Sequence, residues 1–435
     1  MISCHTSRLP NGLRLVAVEM PHLHSAELAV YLKVGGRNDS REKAGLAHFL
    51  EHMLFRGTAD YATTLELETA FETIGGSVNA STDEETTCFF SRIHPRFVGE
   101  GIGIFSSMIR RPLLPGLEIE RRIIVEEALE DINEQGDEIN THNLASRLLW
   151  PDHPLGMPTI GFLDTIQGIG KEDLSLHLSR HYVPTNAVVV VAGSVRPDDF
   201  FAACSARLGD WEGAPLLPLS AAPTGQAGPH TLFVADSDSQ VHLQLAFRGF
   251  PRLDARIMTT RLIRRILCGG GSSRLHLSLR ERLGIVYSVD ASIAAYEETG
   301  SFAIELSTSP DNLERAVQEV LAETLSMAAD LVPPDELERV KNGYFFDLEY
   351  SRDSTYEMQV RYGWGELMGL VRDIEEDHAE AAANDAGVVR LAAAALFAPK
   401  NLNVVVVGPC NAAGRRKVER QVEQYCREWD RRVGK

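Results

Sequence analysis

Short runs of β-branched residues recur along the chain: "LRLVAV" at Leu13–Val18, "AVVVVAG" at Ala187–Gly193 and "NVVVVG" at Asn403–Gly408. Their length and composition predict strands. Between them, apolar positions recur with the helical period, as in Leu65–Ile74 and Leu313–Ala328, and these predict helices. The stretch "DSREKAGLAHFLEHMLFRG" carries helix punctuation at both ends: Asp39 or Ser40 as N-terminal cap and Gly57 as terminator. Each half of the chain opens with strands and continues with helices.

The pattern is written twice. "SVNAS" at Ser77–Ser81 returns as "SVDAS" at Ser288–Ser292, and "EET" at Glu84–Thr86 returns at Glu297–Thr299. "VPTNAVVVVAG" ends at Gly193 and "APKNLNVVVVG" at Gly408, with Pro184 and Asn186 matching Pro399 and Asn401. Three matches in order, at nearly one spacing, predict two similar halves. Residues 212–230, rich in Pro, Gly and Ala and almost uncharged, read as an extended linker between them. The expected fold is α+β: a half at 1–211 and a half at 231–435, each a mostly antiparallel sheet with helices packed on one face.

Composition narrows the function. The chain has 435 residues, 44% apolar and 24% charged, as in globular proteins of more than one domain. No apolar run is long enough to span a membrane, and the N-terminus lacks the basic-then-apolar pattern of a signal peptide, so the cytoplasm is the expected location. Six scattered cysteines form no Cys-x-x-Cys unit, which argues against a disulfide framework and against a thiolate metal site. A net charge of −18 disfavours nucleic acid and anionic membranes as partners.

The chemistry gathers in "LAHFLEHMLFRGT". On a helix, His48 and His52 share one face and can reach one ion, and Glu51 lies beside them. "HLSRH" supplies a control: His177 and His181 have the same spacing, but Arg180 replaces the glutamate, so that pair reads as structural. A catalytic zinc wants a third protein ligand and an open position. The acidic segment "EIERRIIVEEALEDINEQGDE" offers Glu120, Glu126 and Glu127, among which spacing alone does not choose. Glu120 and Glu127 are seven apart on one face, so that one can bind while the other orients a ligand. In the second half, "CGGGSSRLHLSLRERLGIVYSV" holds the glycines Gly269–Gly271, then Arg280 and Tyr287; with no lysine there it makes a poor phosphate loop.

His48-x-x-Glu51-His52, followed after 74 intervening residues by Glu127 in "VEEALED", resembles the pitrilysin-type zinc metallopeptidases, the inverzincins. So do "VNAST" at Val78–Thr82, "HPLGMPTIG" at His153–Gly161, the repeated halves and the linker, so the resemblance spans nearly the whole chain. It implies one zinc per chain held by His48, His52 and Glu127, with Glu120 as the auxiliary glutamate and Glu51 as general base. It implies that Arg280 and Tyr287 contact substrate and steady the transition state. It makes Val78, Asn79, Ala80, Ser81 and Thr82 the strand on which an extended peptide is laid. The length matches the subfamily of bacterial and mitochondrial processing peptidases, dimers in which the Arg/Tyr pair comes from the chain facing the zinc. Because this chain has both sets, a homodimer is expected, with a heterodimer as the fallback. The implied activity is endopeptidase cleavage of oligopeptides or unfolded leader segments. The alternatives are a partner-dependent subunit and a non-catalytic scaffold. One departure stands out: where many relatives continue with a Met-Tyr-Glu-Asp-like stretch, this chain reads "ALEDINEQGDE", which alters the adjoining cavity wall.

Overall fold

A computed structural model of the chain describes residues 2–213 and 219–434. Residues 214–218, inside the expected linker, lie outside the described residues, and 219–229 form neither helix nor strand. Two compact units form, each around its own sheet.

The first sheet contains β1 (Ser3–Arg8), β2 (Arg14–Glu19), β3 (Ala26–Leu32), β4 (Asn79–Thr82), β5 (Thr87–Ile93) and β6 (Ala187–Gly193). Their spatial order is β1-β2-β6-β3-β5-β4. Every pairing is antiparallel except β2 with β6. The second sheet contains β7 (His230–Val234), β8 (Val241–Gly249), β9 (Val286–Ala295), β10 (Gly300–Thr308) and β11 (Leu402–Val407), in the order β7-β11-β8-β10-β9. Again one pairing, β7 with β11, is parallel. Without β1 the two orders superimpose, so the repeat in the sequence is a repeat of topology. "SVNAS" and "SVDAS" overlap the edge strands β4 and β9, and both "EET" triplets sit in the hairpin turns that follow.

The matched Pro-x-Asn signature has a physical cause. In each unit it forms a short 3₁₀ turn that joins a helix to the central strand. The Asn186 amide donates to the carbonyls of His181 at 2.9 Å and Lys33 at 3.1 Å. The Asn401 amide donates to those of Ala395 at 2.9 Å and Leu396 at 3.0 Å. Carbonyls at a helix end have no partner within the helix, and the asparagine supplies one.

Helices cover one face of each sheet. In the first unit, Leu15, Leu28, Val30, Val189 and Val191 pack against Phe49, Met53, Phe71 and Phe105. In the second, Leu245, Phe247, Val404 and Val406 pack against Ile263, Val317 and Phe397. The other face is also buried: all seven residues of β3 and of β6 are buried, as strands covered on both sides must be. The cover comes from far along the chain. The segment Thr355–Met368 packs on β2, β3 and β6, while the helix Thr141–Leu149 packs on β8 and β11. The compact units therefore do not follow the contiguous division at 1–211 and 231–435. Residues 130–156 belong with the second sheet and residues 348–373 with the first. Among the described residues, no helix is long and apolar enough to cross a membrane.

Candidate metal centre

The histidines ride on the helix Leu46–Leu54, whose Leu46, Phe49, Leu50, Met53 and Leu54 are buried in the first core. That anchoring turns the opposite face, with His48 and His52, toward a neighbouring helix. The helix begins later than its sequence punctuation predicts, because Gly45, at φ +92°, sets its start. Asp39 still serves as the cap from upstream: its carboxylate accepts from the N–H of Gly45 at 3.1 Å and of Ala47 at 3.2 Å. Ser40 makes no such bond. A side chain at Gly45 would collide with the Ile160 carbonyl, and one at Gly161 with the Ala44 carbonyl, each within 2.3 Å. Close backbone approach accounts for the final glycine of "HPLGMPTIG".

The second helix, Leu117–Leu129, is fixed by buried Ile124 and Ala128 and by buried Arg121, which donates to the carbonyls of Ile166 and Ile169. Glu127 thereby reaches both histidines. Its two carboxylate oxygens lie 3.7 Å from His48 Nε2 and 3.7 Å from His52 Nε2. Exposed Glu126 does not join them. Among the described residues, His48, His52 and Glu127 are the group whose ligand atoms converge within 4.8 Å. Separations of 3.7 Å are too long for hydrogen bonds. They are near the spacing, about 3.3 Å, of ligands placed tetrahedrally about 2.0–2.1 Å from one zinc ion. The other ring nitrogen of His48, Nδ1, is buried with no hydrogen-bond partner among the described residues.

The electrostatics fit a cation. Burial, then the neighbouring His52, pushes His48 from its ordinary value down to about 3, which keeps the imidazole neutral as ligation requires. For His52 burial acts downward, but the Glu120 hydrogen bond and the charges of Glu51, Glu127 and Glu120 outweigh it and hold the ring above its ordinary value. Glu120, nearly buried, accepts from His52 Nδ1 at 2.9 Å, while Arg56 balances its other oxygen at 3.5 Å. Glu120 thus contacts His52 from behind and stands outside the converging group. Glu51 is 8% exposed, and burial raises its carboxyl above the ordinary range, opposed by a hydrogen bond from Thr82 and by His52. A carboxylate shifted upward in this way is a stronger proton acceptor than a free one.

The nominated substrate strand divides. Val78 is buried in the core and precedes the strand, whereas Asn79, Ala80, Ser81 and Thr82 form β4, the outer edge of the first sheet. Thr82 Oγ1 donates to Glu51 Oε2 at 2.5 Å, a contact between strand and base that no local sequence pattern announces. In the second unit, Arg280 lies on the π-helical turn His276–Arg282, with its guanidinium carbon 5.4 Å from the ring centre of Tyr287, which is 84% exposed. The glycines 269–271 end the helix Ile257–Cys268 and open a surface turn; a side chain at Gly270 or Gly271 would meet nothing within 4 Å. The control pair lies elsewhere: buried His177 faces Asp39 at 3.9 Å and so backs the start of the histidine helix.

A two-unit α+β fold with a His–His–Glu cluster and an adjacent buried glutamate defines a metallopeptidase-like architecture, and comparison with known proteins agrees. Residues 14–161 match the family model "Insulinase (Peptidase family M16)", and residues 168–344 match "Peptidase M16 inactive domain". The His–His–Glu cluster falls wholly inside the first match. A protein named "Uncharacterized zinc protease" from Rickettsia felis is 31% identical over 341 residues, covering 77% of this chain and 80% of that one. The crystal structure of a protease from Helicobacter pylori shares the fold at TM-score 0.87 and 19% identity, covering 94% of this chain and 100% of that one. A chain of "Complex III2 from Candida albicans, Inz-5 bound" does so at TM-score 0.81 and 14% identity, covering 96% and 100%. The chain belongs to the insulinase family of peptidases, family M16. The second unit repeats the topology of the first without its histidines: the helix after β8, Ile257–Cys268, contains neither His nor Glu.

Proposed function

We propose that the chain is a zinc-dependent endopeptidase that cleaves oligopeptides or unfolded leader and precursor segments. The observation that carries this reading is the convergence of His48, His52 and Glu127 beside a buried Glu51. Those three residues would hold one zinc ion, which supplies Lewis-acid activation of water and of the scissile carbonyl. Glu51 takes the proton from the attacking water and delivers it to the leaving amine. Glu120 holds His52 in the tautomer that turns Nε2 toward the ion. Asn79–Thr82 offer an edge to which an extended peptide adds by main-chain hydrogen bonds. Arg280 and Tyr287, cationic and phenolic and both exposed, are assigned to the oxyanion and the substrate backbone.

The names of relatives as zinc proteases support zinc as the ion. Six free cysteines suit a reducing compartment and thus the cytoplasm. A homodimer is the proposed assembly, since one chain carries both the metal residues and the Arg/Tyr pair; a sister chain in a heterodimer is the second reading. The test is metal analysis, sedimentation and a quenched-peptide assay on the purified chain. Bound zinc with cleavage abolished by Glu51→Gln supports the proposal. Zinc with cleavage only after a sister chain is added favours the heterodimer, and a chain that takes up no zinc refutes the reading.

A further inference from the structure

The hydrogen bond between Thr82 and Glu51 joins two parts of the site that act at different stages, the strand that receives the peptide and the carboxylate that moves the proton. Thr82 ends β4, opposite Thr87 of β5. Its hydroxyl has one proton. Glu51 Oε2 lies 2.5 Å away and Thr87 Oγ1 3.4 Å away, so the proton goes to Glu51. Thr87 cannot substitute, because its own hydroxyl donates to the Val34 carbonyl at 2.8 Å. β4 pairs with β5 on one side and is the sheet edge on the other. It has four residues, two of them exposed, and is weakly held until something pairs with its outer side.

We propose that Thr82 is a positioning residue that ties the filling of the β4 edge to the orientation of the Glu51 carboxylate, so that the base is set when a peptide is in place. This rests on the peptidase reading above. Peptide pairing stiffens β4, β4 fixes the Thr82 hydroxyl, and the hydroxyl fixes which carboxylate oxygen faces the substrate. Conversely, Glu51 holds β4 in place before peptide arrives.

Thr82→Val keeps the shape and removes the donor; Thr82→Ser keeps the donor. In zinc-loaded protein with a quenched peptide, Thr82→Val is expected to lower kcat about 10–100-fold, part of what a general base contributes. KM should stay within about twofold, and Thr82→Ser within about threefold of the parent. A second readout needs no activity. In peptide-free protein, hydrogen exchange at the Asn79–Thr82 amides should quicken about fivefold in Thr82→Val and equally in Glu51→Ala, with no further gain in the double variant. Exchange in β3, an inner strand of the same sheet, serves as the folding control. Unchanged exchange in both single variants overturns the proposal, as does a Thr82→Ser enzyme as slow as Thr82→Val. A rise in KM at constant kcat overturns it too, since Thr82 would then be a substrate contact alone. If the zinc-loaded parent cleaves no peptide either alone or with a sister chain, the peptidase reading fails and the exchange measurements still decide the coupling.

Discussion

Removing the Glu120 carboxylate tests how far the proposed site depends on residues that never touch the ion. Glu120 is 6% exposed and accepts from His52 Nδ1 at 2.9 Å. A hydrogen bond to a charged group is worth roughly 1.5–3 kcal/mol. When Nε2 ligates a cation, the Nδ1 proton becomes more acidic and the bond strengthens, so part of that energy belongs to metal affinity. Losing such a partner costs about 10–100-fold in metal affinity, or about 1.4–2.7 kcal/mol. Glu120→Ala should fall near the upper end, because it also frees the ring to rotate and leaves Arg56, 3.5 Å from the lost carboxylate, beside the histidine. Glu120→Gln still offers an oxygen to Nδ1 and should lose about tenfold. Competition for zinc against a chromophoric chelator at pH 7.5 measures both. The reasoning is refuted if Glu120→Ala binds zinc within about twofold of the parent, or if the glutamine variant is the weaker of the two.

Three further expectations follow from other parts of the fold. Glu51→Gln should retain zinc while kcat falls by about 10²–10⁴, read from metal content and peptide cleavage on the same sample. His177 is buried, and burial together with His181 and Arg180 lowers it from 6.5 to about 3. Below pH 6.5 the unfolded chain therefore takes up a proton that the folded chain refuses. Stability is full above that pH and falls toward pH 3 by up to about 1.4 kcal/mol per pH unit. Urea titrations of His177→Gln between pH 6.5 and 4.5 should show a shallower acid slope than the parent, and an equal slope would contradict the assignment. A Cβ at Gly363 would lie 2.5 Å from Val190 Cγ1 and 3.0 Å from the Tyr31 ring, so Gly363→Ala should destabilise by about 1–3 kcal/mol in urea melts.

Much of this architecture was legible in the sequence because the signals were local or repeated. His48 and His52 need only helical spacing to share a face. Likewise "SVNAS" and "SVDAS", with the two Pro-x-Asn turns, mark equivalent places in two sheets of the same order. Glu127 was distinguished from Glu126 by family resemblance; the structure separates them because they leave the helix in different directions and only one faces the histidines. Other features are pairings between distant residues, on which spacing is silent. Thr82 read as substrate strand, and its bond to a base 31 positions away needed the folded sheet. Asp39 read as a cap, and its contact with His177 of the control pair depends on helix packing. The exchange of residues 130–156 and 348–373 between the units was hidden most deeply. The uninterrupted valines of β6 hinted at burial on both faces, but a run of valines does not say which segment provides the second cover.

That exchange governs how the protein is made. Residues 1–211 leave the ribosome with the histidines, Glu51 and Glu127 already synthesised, yet the outer face of β2, β3 and β6 stays bare until residue 373 has emerged. Loop closure over such a distance is slow, and an open valine-rich sheet invites the wrong partner in the interval. The nascent chain is thus most vulnerable to aggregation late in synthesis, after its chemistry is encoded and before its first domain is closed. A ribosome that stops at the linker releases an unfinished sheet.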